Sequence, residues 1–297
     1  MIPIRCEGLS KTYAKLEALK DLNLEVPAGS IYGLLGPNGA GKSTTIKTIL
    51  NILTPSAGRA EVLGCDSRRL RADEFTRIGY VSENQKLPEW MTVEYFLAYL
   101  KPFYPRWDDA RAAELLRLFD LPLKRKLGQL SRGMKMKAAL ASSLACRPAL
   151  LVMDEPFSGL DPVMRDDLTQ GIIAGADETT VLVSSHDLTE IETLASHIGY
   201  MESGRLRFSE SMDSLAERFR EIEVTTAGAA DLPANWPAHW LRPEVSPAVV
   251  RFVDSAFDSE ATPAEVRRVL PGVRDVAVTP MPLRSIFLAL ARSGGKS

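Results

Sequence analysis

The chain is poor in the residues that build metal sites and disulfide scaffolds: three cysteines and three histidines among 297 residues. Cys6, Cys65 and Cys146 lie far apart and show no metal-ligand spacing. That excludes a zinc module and a disulfide framework, and leaves free thiols in a reducing compartment as the expectation. An excess of positive charge is also missing. Lys and Arg number 36 against 38 Asp and Glu, a formal net charge of −2, and no long basic run stands out locally, so no nucleic-acid partner is expected. Nowhere do 18 or more apolar residues run together. The longest candidate, residues 138–146, is bounded by Lys137 and Arg147 and is far too short to cross a bilayer. The first residues lack a charged region followed by an apolar stretch, so no secretory signal is expected. No internal repeat is found. What remains is an ordinary globular composition, 45% hydrophobic and 25% charged, in a chain long enough for one large and one small domain.

Against that background one octapeptide is decisive. Residues 36–43 read Gly36-Pro37-Asn38-Gly39-Ala40-Gly41-Lys42-Ser43, followed by Thr44. This is the pattern G-x-x-x-x-G-K-[ST], a loop that wraps backbone N–H groups around the phosphates of a nucleotide. Glycine lets the chain turn tightly and approach phosphate with no side chain in the way. Lys42 is placed to reach the β- and γ-phosphates, and the Ser43 hydroxyl to ligate Mg²⁺. The flanks agree with this. Residues 31–35 form a short apolar run that reads as a buried strand. Ile46, Ile49, Leu50 and Leu53 then recur at helical spacing, so a helix N-terminus points at the phosphates.

Further along, residues 149–155 form an apolar strand that ends in Asp154 and Glu155. Beside a phosphate loop, Asp154 is expected to hold Mg²⁺ through water, and Glu155 to orient and deprotonate the water that attacks the γ-phosphate. Strands at 2–6, 22–26 and 77–81 are expected. Helical faces follow, with Val93, Phe96, Leu97 and Leu100 on one and Ala112, Leu115, Leu116 and Phe119 on another. From 150 to about 198 strands and helices alternate, which points to a mostly parallel sheet. His186 ends the apolar strand 181–185, and Asp187 with Glu190 has the spacing of a capping box. His197 and His239 have no comparable setting.

Leu130-Ser131-Arg132-Gly133-Met134 opens a helix shortly before the acidic strand. With this segment in place the chain resembles the nucleotide-binding subunit of an ABC transporter over about residues 9–211, with the motifs in the family's order. The family's signature, LSGGQ, is kept at Ser131 and Gly133, while Arg132 replaces a glycine and Met134 the glutamine. The resemblance implies an α/β P-loop NTPase (ABC ATPase) core over 1–211, with an antiparallel β subdomain and a helical subdomain at about 84–130. It implies that Ser131 and Gly133 meet the γ-phosphate of ATP held on a second subunit, and that Asp161, in Ser158-Gly159-Leu160-Asp161, communicates across the pair. His186 corresponds to a switch histidine that hydrogen-bonds the γ-phosphate, and Tyr13 to an aromatic that stacks on adenine. The family's glutamine after the strand at 79–82 is replaced here by Glu83, with Gln85 two residues on; either side chain could approach Mg²⁺ and the attacking water, and Glu83 aligns better with the residues that follow.

Beyond Ser211 the character changes. Residues 231–247 carry Pro233, Pro237, Pro243 and Pro247, which argues against regular structure through most of that stretch. Strands are expected at 221–226, 249–254 and 273–279, with helices at 262–270 and 283–292. The result is a small α+β domain over 212–297, expected to support a dimer and to end in a disordered tail at 293–297. Its ending resembles that of bacterial ABC-2-type exporter ATPases. The resemblance as a whole implies an ATP- and Mg²⁺-dependent ATPase that works as a pair of identical subunits, bound through a transmembrane permease to the cytoplasmic face of the membrane. An importer ATPase and a soluble ABC ATPase without a transport role are the alternatives.

Overall fold

In the computed structural model the described residues are 2–176, 179–228, 232–233 and 235–293. In chain order the elements are β1 (Ile4–Tyr13), β2 (Leu16–Val26), β3 (Ile31–Leu35), α1 (Lys42–Ile49), β4 (Ala57–Val62) and β5 (Cys65–Asp66). Next come α2 (Ala72–Phe75), β6 (Ile78–Ser82), α3 (Val93–Leu100), α4 (Asp109–Leu118), α5 (Arg132–Ala145), β7 (Leu150–Asp154), α6 (Pro162–Gly175) and β8 (Thr180–Ser185). The chain continues with β9 (His197–Glu202), β10 (Arg205–Ser211), α7 (Met212–Arg218), β11 (Arg220–Thr226), β12 (Trp240–Ser246) and β13 (Val249–Asp254). It ends with α8 (Ala261–Val269), β14 (Val273–Pro280) and α9 (Leu283–Ser293). The chain divides into two compact units, Met1–Ser209 and Glu210–Ser297.

The first unit holds two sheets. One has the order β2-β1-β4-β5, and its paired strands run antiparallel. The other has the order β10-β9-β3-β8-β7-β6, parallel across β9-β3-β8-β7-β6. Every residue of β7 and β8 is buried, as expected of parallel strands covered on both faces. Between the sheets lies a core that includes Leu24, Tyr32, Ile46, Val62, Val152 and Leu182. Each such fully buried aliphatic side chain contributes about 1.5–3 kcal/mol relative to an exposed one. The register is what matters for the site. Ser82 lies opposite Asp154, Asp154 opposite Ser184, and Leu35 opposite Ser185. The C-terminal ends of β6, β7, β8 and β3 therefore finish side by side, the edge at which open α/β sheets bind ligands.

Between β6 and β7 the chain forms helices α3, α4 and α5. Thr92, Asp108 and Ser131 cap them by accepting from the backbone N–H of Tyr95, Arg111 and Met134. Helices α4 and α6 meet at a close contact: a Cβ added at Gly171 would lie 2.3 Å from the ring of Phe119.

The second unit is a four-stranded antiparallel sheet, β12-β13-β11-β14, with α7, α8 and α9. Its core includes Ile222, Val224, Val250, Phe252 and Val266, with Trp240 stacked on Phe252 at 4.3 Å between ring centroids. Here the proline-based expectation of irregular chain fails, because Trp240–Ser246 is a strand that contains Pro243. Two features make room for it. Strand β12 lies at the sheet edge, and its register on β13 shifts between Leu241 and Glu244, where Arg242 takes a positive φ of 53°. A bulge on an edge strand is where a residue without an N–H costs least. The tail expected to be disordered lies outside the described residues from 294 onward, and Ser293 closes α9.

Candidate nucleotide site

The loop between β3 and α1 reverses tightly. Gly41 has φ 108°, and a Cβ there would come 2.8 Å from the carbonyl of Ala18, so no other residue fits without displacing the backbone. No side chain caps α1, whose first N–H groups are thereby left for an anion, and the helix dipole adds to the attraction. The loop borders a cleft of about 380 Å³, lined by Tyr13, Leu16, Ala18, Asn38, Gly39, Ala40, Gly41, Lys42, Ser43, Thr44, Glu83 and Glu155. Gly36 and Pro37 sit behind the loop, where their carbonyls accept from the Lys42 ammonium at 2.7 and 3.2 Å. Lys42 is buried, and its Nζ is also 3.1 Å from Oε1 of Glu155.

The acidic pair is fixed by hydroxyls. The hydroxyls of Ser43 and Ser184 both donate to Oδ1 of Asp154, at 2.9 and 2.8 Å. Glu155 has φ 51°, an uncommon conformation for a non-glycine residue, and its N–H donates to Oγ of Ser184 at 3.0 Å. Ser184 thus ties down both acids at once. Its role has no local motif; it follows from the register that puts Ser184 opposite Asp154. The Ser43 hydroxyl and the Asp154 carboxylate form the hard, all-oxygen donor set that suits Mg²⁺.

His186, directly after β8, brings Nδ1 to 2.8 Å from Oε2 of Glu155. That hydrogen bond to Glu155 holds the imidazole pKa above its ordinary 6.5, with smaller raising contributions from the charges of Glu155 and Glu190; burial and Lys42 oppose it. Glu190 does not form the expected capping box. Its carboxylate accepts from the Ser185 hydroxyl and lies 3.3 Å from Arg165, while the turn at Leu188–Glu190 is capped by Asp187 alone. Glu155, His186 and Glu190 form the described cluster whose ligand-type atoms lie within 4.8 Å of one another.

The structure therefore brings Lys42, Ser43, Asp154, Glu155 and His186 to one place. Tyr13, about 40% exposed, stands at the cleft with Lys11 5.2 Å from its ring centroid. Glu83 lines the cleft, whereas Gln85 lines two neighbouring cavities. Oε1 of Glu83 accepts from the Ser158 hydroxyl at 3.2 Å and from the guanidinium of Arg132. Ser131, Gly133 and Asp161 do not line the cleft of their own chain. Ser131 and Asp161 cap α5 and α6, and Gly133 lies against Met164. Sequence reasoning missed Ser184, Ser158 and the pairing of Arg132. The pair Ser184-Ser185 that ends the apolar run Val181-Leu182-Val183 was the available signal.

Comparison with known proteins agrees with this geometry. A family model described as ABC transporter matches residues 19–158. The daunorubicin/doxorubicin resistance ATP-binding protein DrrA of Streptomyces peucetius is 32% identical over 302 residues, covering 97% of this chain and 92% of that protein. The bacitracin transport ATP-binding protein BcrA of Bacillus licheniformis is 33% identical, over 73% of this chain and 72% of its own length. Among solved structures, the ATP-binding subunit of an ABC transporter superposes with a TM-score of 0.66 at 28% identity, covering 73% of this chain and 92% of that one. A dimeric ATP-binding cassette in a post-hydrolysis state bound to ADP and Pi gives 0.62 at 26% identity, over 70% and 98%.

Proposed function

The chain belongs to the ABC transporter ATP-binding proteins, and from that premise we propose how its own residues bind and cleave ATP. It is the ATP-binding and hydrolysing subunit of an ABC transporter of the ABC-2 exporter type. The observation that carries the mechanism is the convergence of Lys42, Ser43, Asp154, Glu155 and His186 on one cleft edge. In the proposed cycle the triphosphate lies along the Gly36–Thr44 loop, and Lys42 leaves the Gly36 and Pro37 carbonyls to meet the β- and γ-phosphate oxygens. Tyr13 offers its ring to the adenine face. Ser43 and Asp154 would hold Mg²⁺, which neutralises charge on the phosphates when bound. Glu155 accepts the proton of the attacking water, and His186 orients that water and the γ-phosphate while its Nδ1 stays bonded to Glu155.

Ser131 and Gly133 do not line this cleft, and their proposed partner is the ATP of a second copy. Two subunits close head to tail on two nucleotides, and cleavage releases them. The motion passes to a transmembrane permease at the cytoplasmic face of the membrane. No helix among the described residues is long and apolar enough to cross a membrane. Two of the relatives are named for daunorubicin/doxorubicin resistance and for bacitracin transport, and a drug or peptide is the proposed class of cargo. A contact between two copies is the proposed role of the C-terminal unit. Sizing the Glu155→Gln variant with Mg-ATP tests the sandwich. A nucleotide-loaded dimer is expected, and a variant that binds ATP yet stays monomeric at every concentration would contradict it.

A further inference from the structure

The pair Arg132–Glu83 joins two positions at which this chain departs from the motifs described above. It also lies where three separate segments meet. Glu83 follows β6, and its N–H donates to the Asp154 carbonyl at 3.1 Å, so its main chain is tied to the strand that carries the acids. Its side-chain Oε1 accepts from Arg132, at the first turn of α5, and from the Ser158 hydroxyl, in the loop after β7. The guanidinium lies over Gly159, where an added Cβ would come 3.0 Å from it. Glu83 and Arg132 also line a small cavity with Lys135, whose ammonium lies 3.5 Å from Glu89.

An ion pair this exposed adds little to folding stability; exposed pairs contribute about 0–1 kcal/mol. Its consequence is local and electrostatic. Glu83, Asp154 and Glu155 would place three carboxylates around a site that receives a triphosphate, with Lys42 as the cation lining the cleft. We propose that Arg132 is a positioning residue for ATP binding. It pins the Glu83 carboxylate at the cleft wall and offsets its charge, and so links the start of α5, where Ser131 and Gly133 lie, to the chain's own nucleotide site. This rests on the reading of the cleft as the ATP site.

The test is a double-mutant cycle on the full chain, read as the dissociation constant for ATP in EDTA, where no cation masks the phosphates. Arg132→Gly in the Glu83 background frees the carboxylate and is expected to weaken ATP about fivefold, whereas in the Glu83→Gln background the same change is expected to cost less than about twofold. Arg132→Lys keeps the charge and is expected to recover part of the loss. A purely structural role, or a long-range charge effect of Arg132, would weaken binding equally in both backgrounds, and that result would overturn the proposal. No effect in either background would overturn it as well. A wild-type chain that binds no ATP would remove the site reading together with this inference, whereas intact binding with an additive cycle removes the inference alone.

Discussion

Glu155 and His186 are joined by a 2.8 Å contact between Oε2 and Nδ1, while the other oxygen of Glu155 reaches Lys42 at 3.1 Å. One carboxylate therefore bridges the Lys42 ammonium and the histidine at the end of β8, on a residue whose backbone takes a φ of 51°. The two contacts fix the carboxylate in place, and a group that takes a proton from water must be held at a fixed point.

The charge state of His186 should follow from that contact. Its pKa is raised mainly by the hydrogen bond to Glu155, so the imidazolium–carboxylate pair is complete below the unfolded value and is lost as pH rises through the folded one. Titration by NMR is expected to place His186 above 6.5 in the wild type and to bring it down in Glu155→Gln. An unchanged midpoint in the variant would show that the pair does not form in solution.

Ser184 accepts from the Glu155 N–H and donates to Asp154, which makes it the shared support of both acids. Ser184→Ala removes this support with little change in volume. Mg-ATP turnover is expected to fall about tenfold or more, the size seen when the supporting partner of a metal-site ligand is lost. Steady-state phosphate release compared with wild type at saturating Mg-ATP checks this, and near-wild-type turnover would show that Ser43 alone holds Asp154.

How much of this was legible before the structure depends on whether the signal was local. The Gly36–Ser43 loop and the Asp154-Glu155 strand end could be read because contiguous residues carry each pattern, whereas His186 was picked out through the family resemblance. Ser184 could not, since its meaning lies in the pairing of β7 with β8 and nothing near it in sequence names Asp154 as its partner. Arg132 read as a departure from a motif, and only the approach of α5 to the segment after β6 supplies Glu83 as its counterpart. Strand β12 was missed for a different reason. Proline removes an N–H wherever it stands, but a bulge at a sheet edge leaves no ladder bond to lose.

The packing of α6 on α4 should be sensitive to one methyl group. With Phe119 2.3 Å from where a Cβ would stand, Gly171→Ala must push the ring or the helix aside. Urea unfolding is expected to show a loss of about 1–3 kcal/mol, the usual cost of overpacking a filled core. A loss below a few tenths would mean that the two helices slide freely.

The thiols should react in the order of their burial. Cys6 and Cys146 are buried and their pKa values are pushed up to about 12 by loss of hydration, whereas Cys65 is only half-buried. In native protein at mildly alkaline pH one thiol, Cys65, is expected to react first with a disulfide reagent, and the others only as the protein unfolds. Equal labelling of all three in native protein would contradict the described core.

The central claim is that this chain cleaves ATP with Glu155 as the group that takes the proton from water. Phosphate release from Mg-ATP by the purified chain, measured beside Glu155→Gln, tests it most directly. The expected result is steady release by the wild type and at least about a hundredfold less from the variant, the range that general-base catalysis supplies, with ATP still bound. Wild type and variant releasing phosphate at the same rate would contradict it.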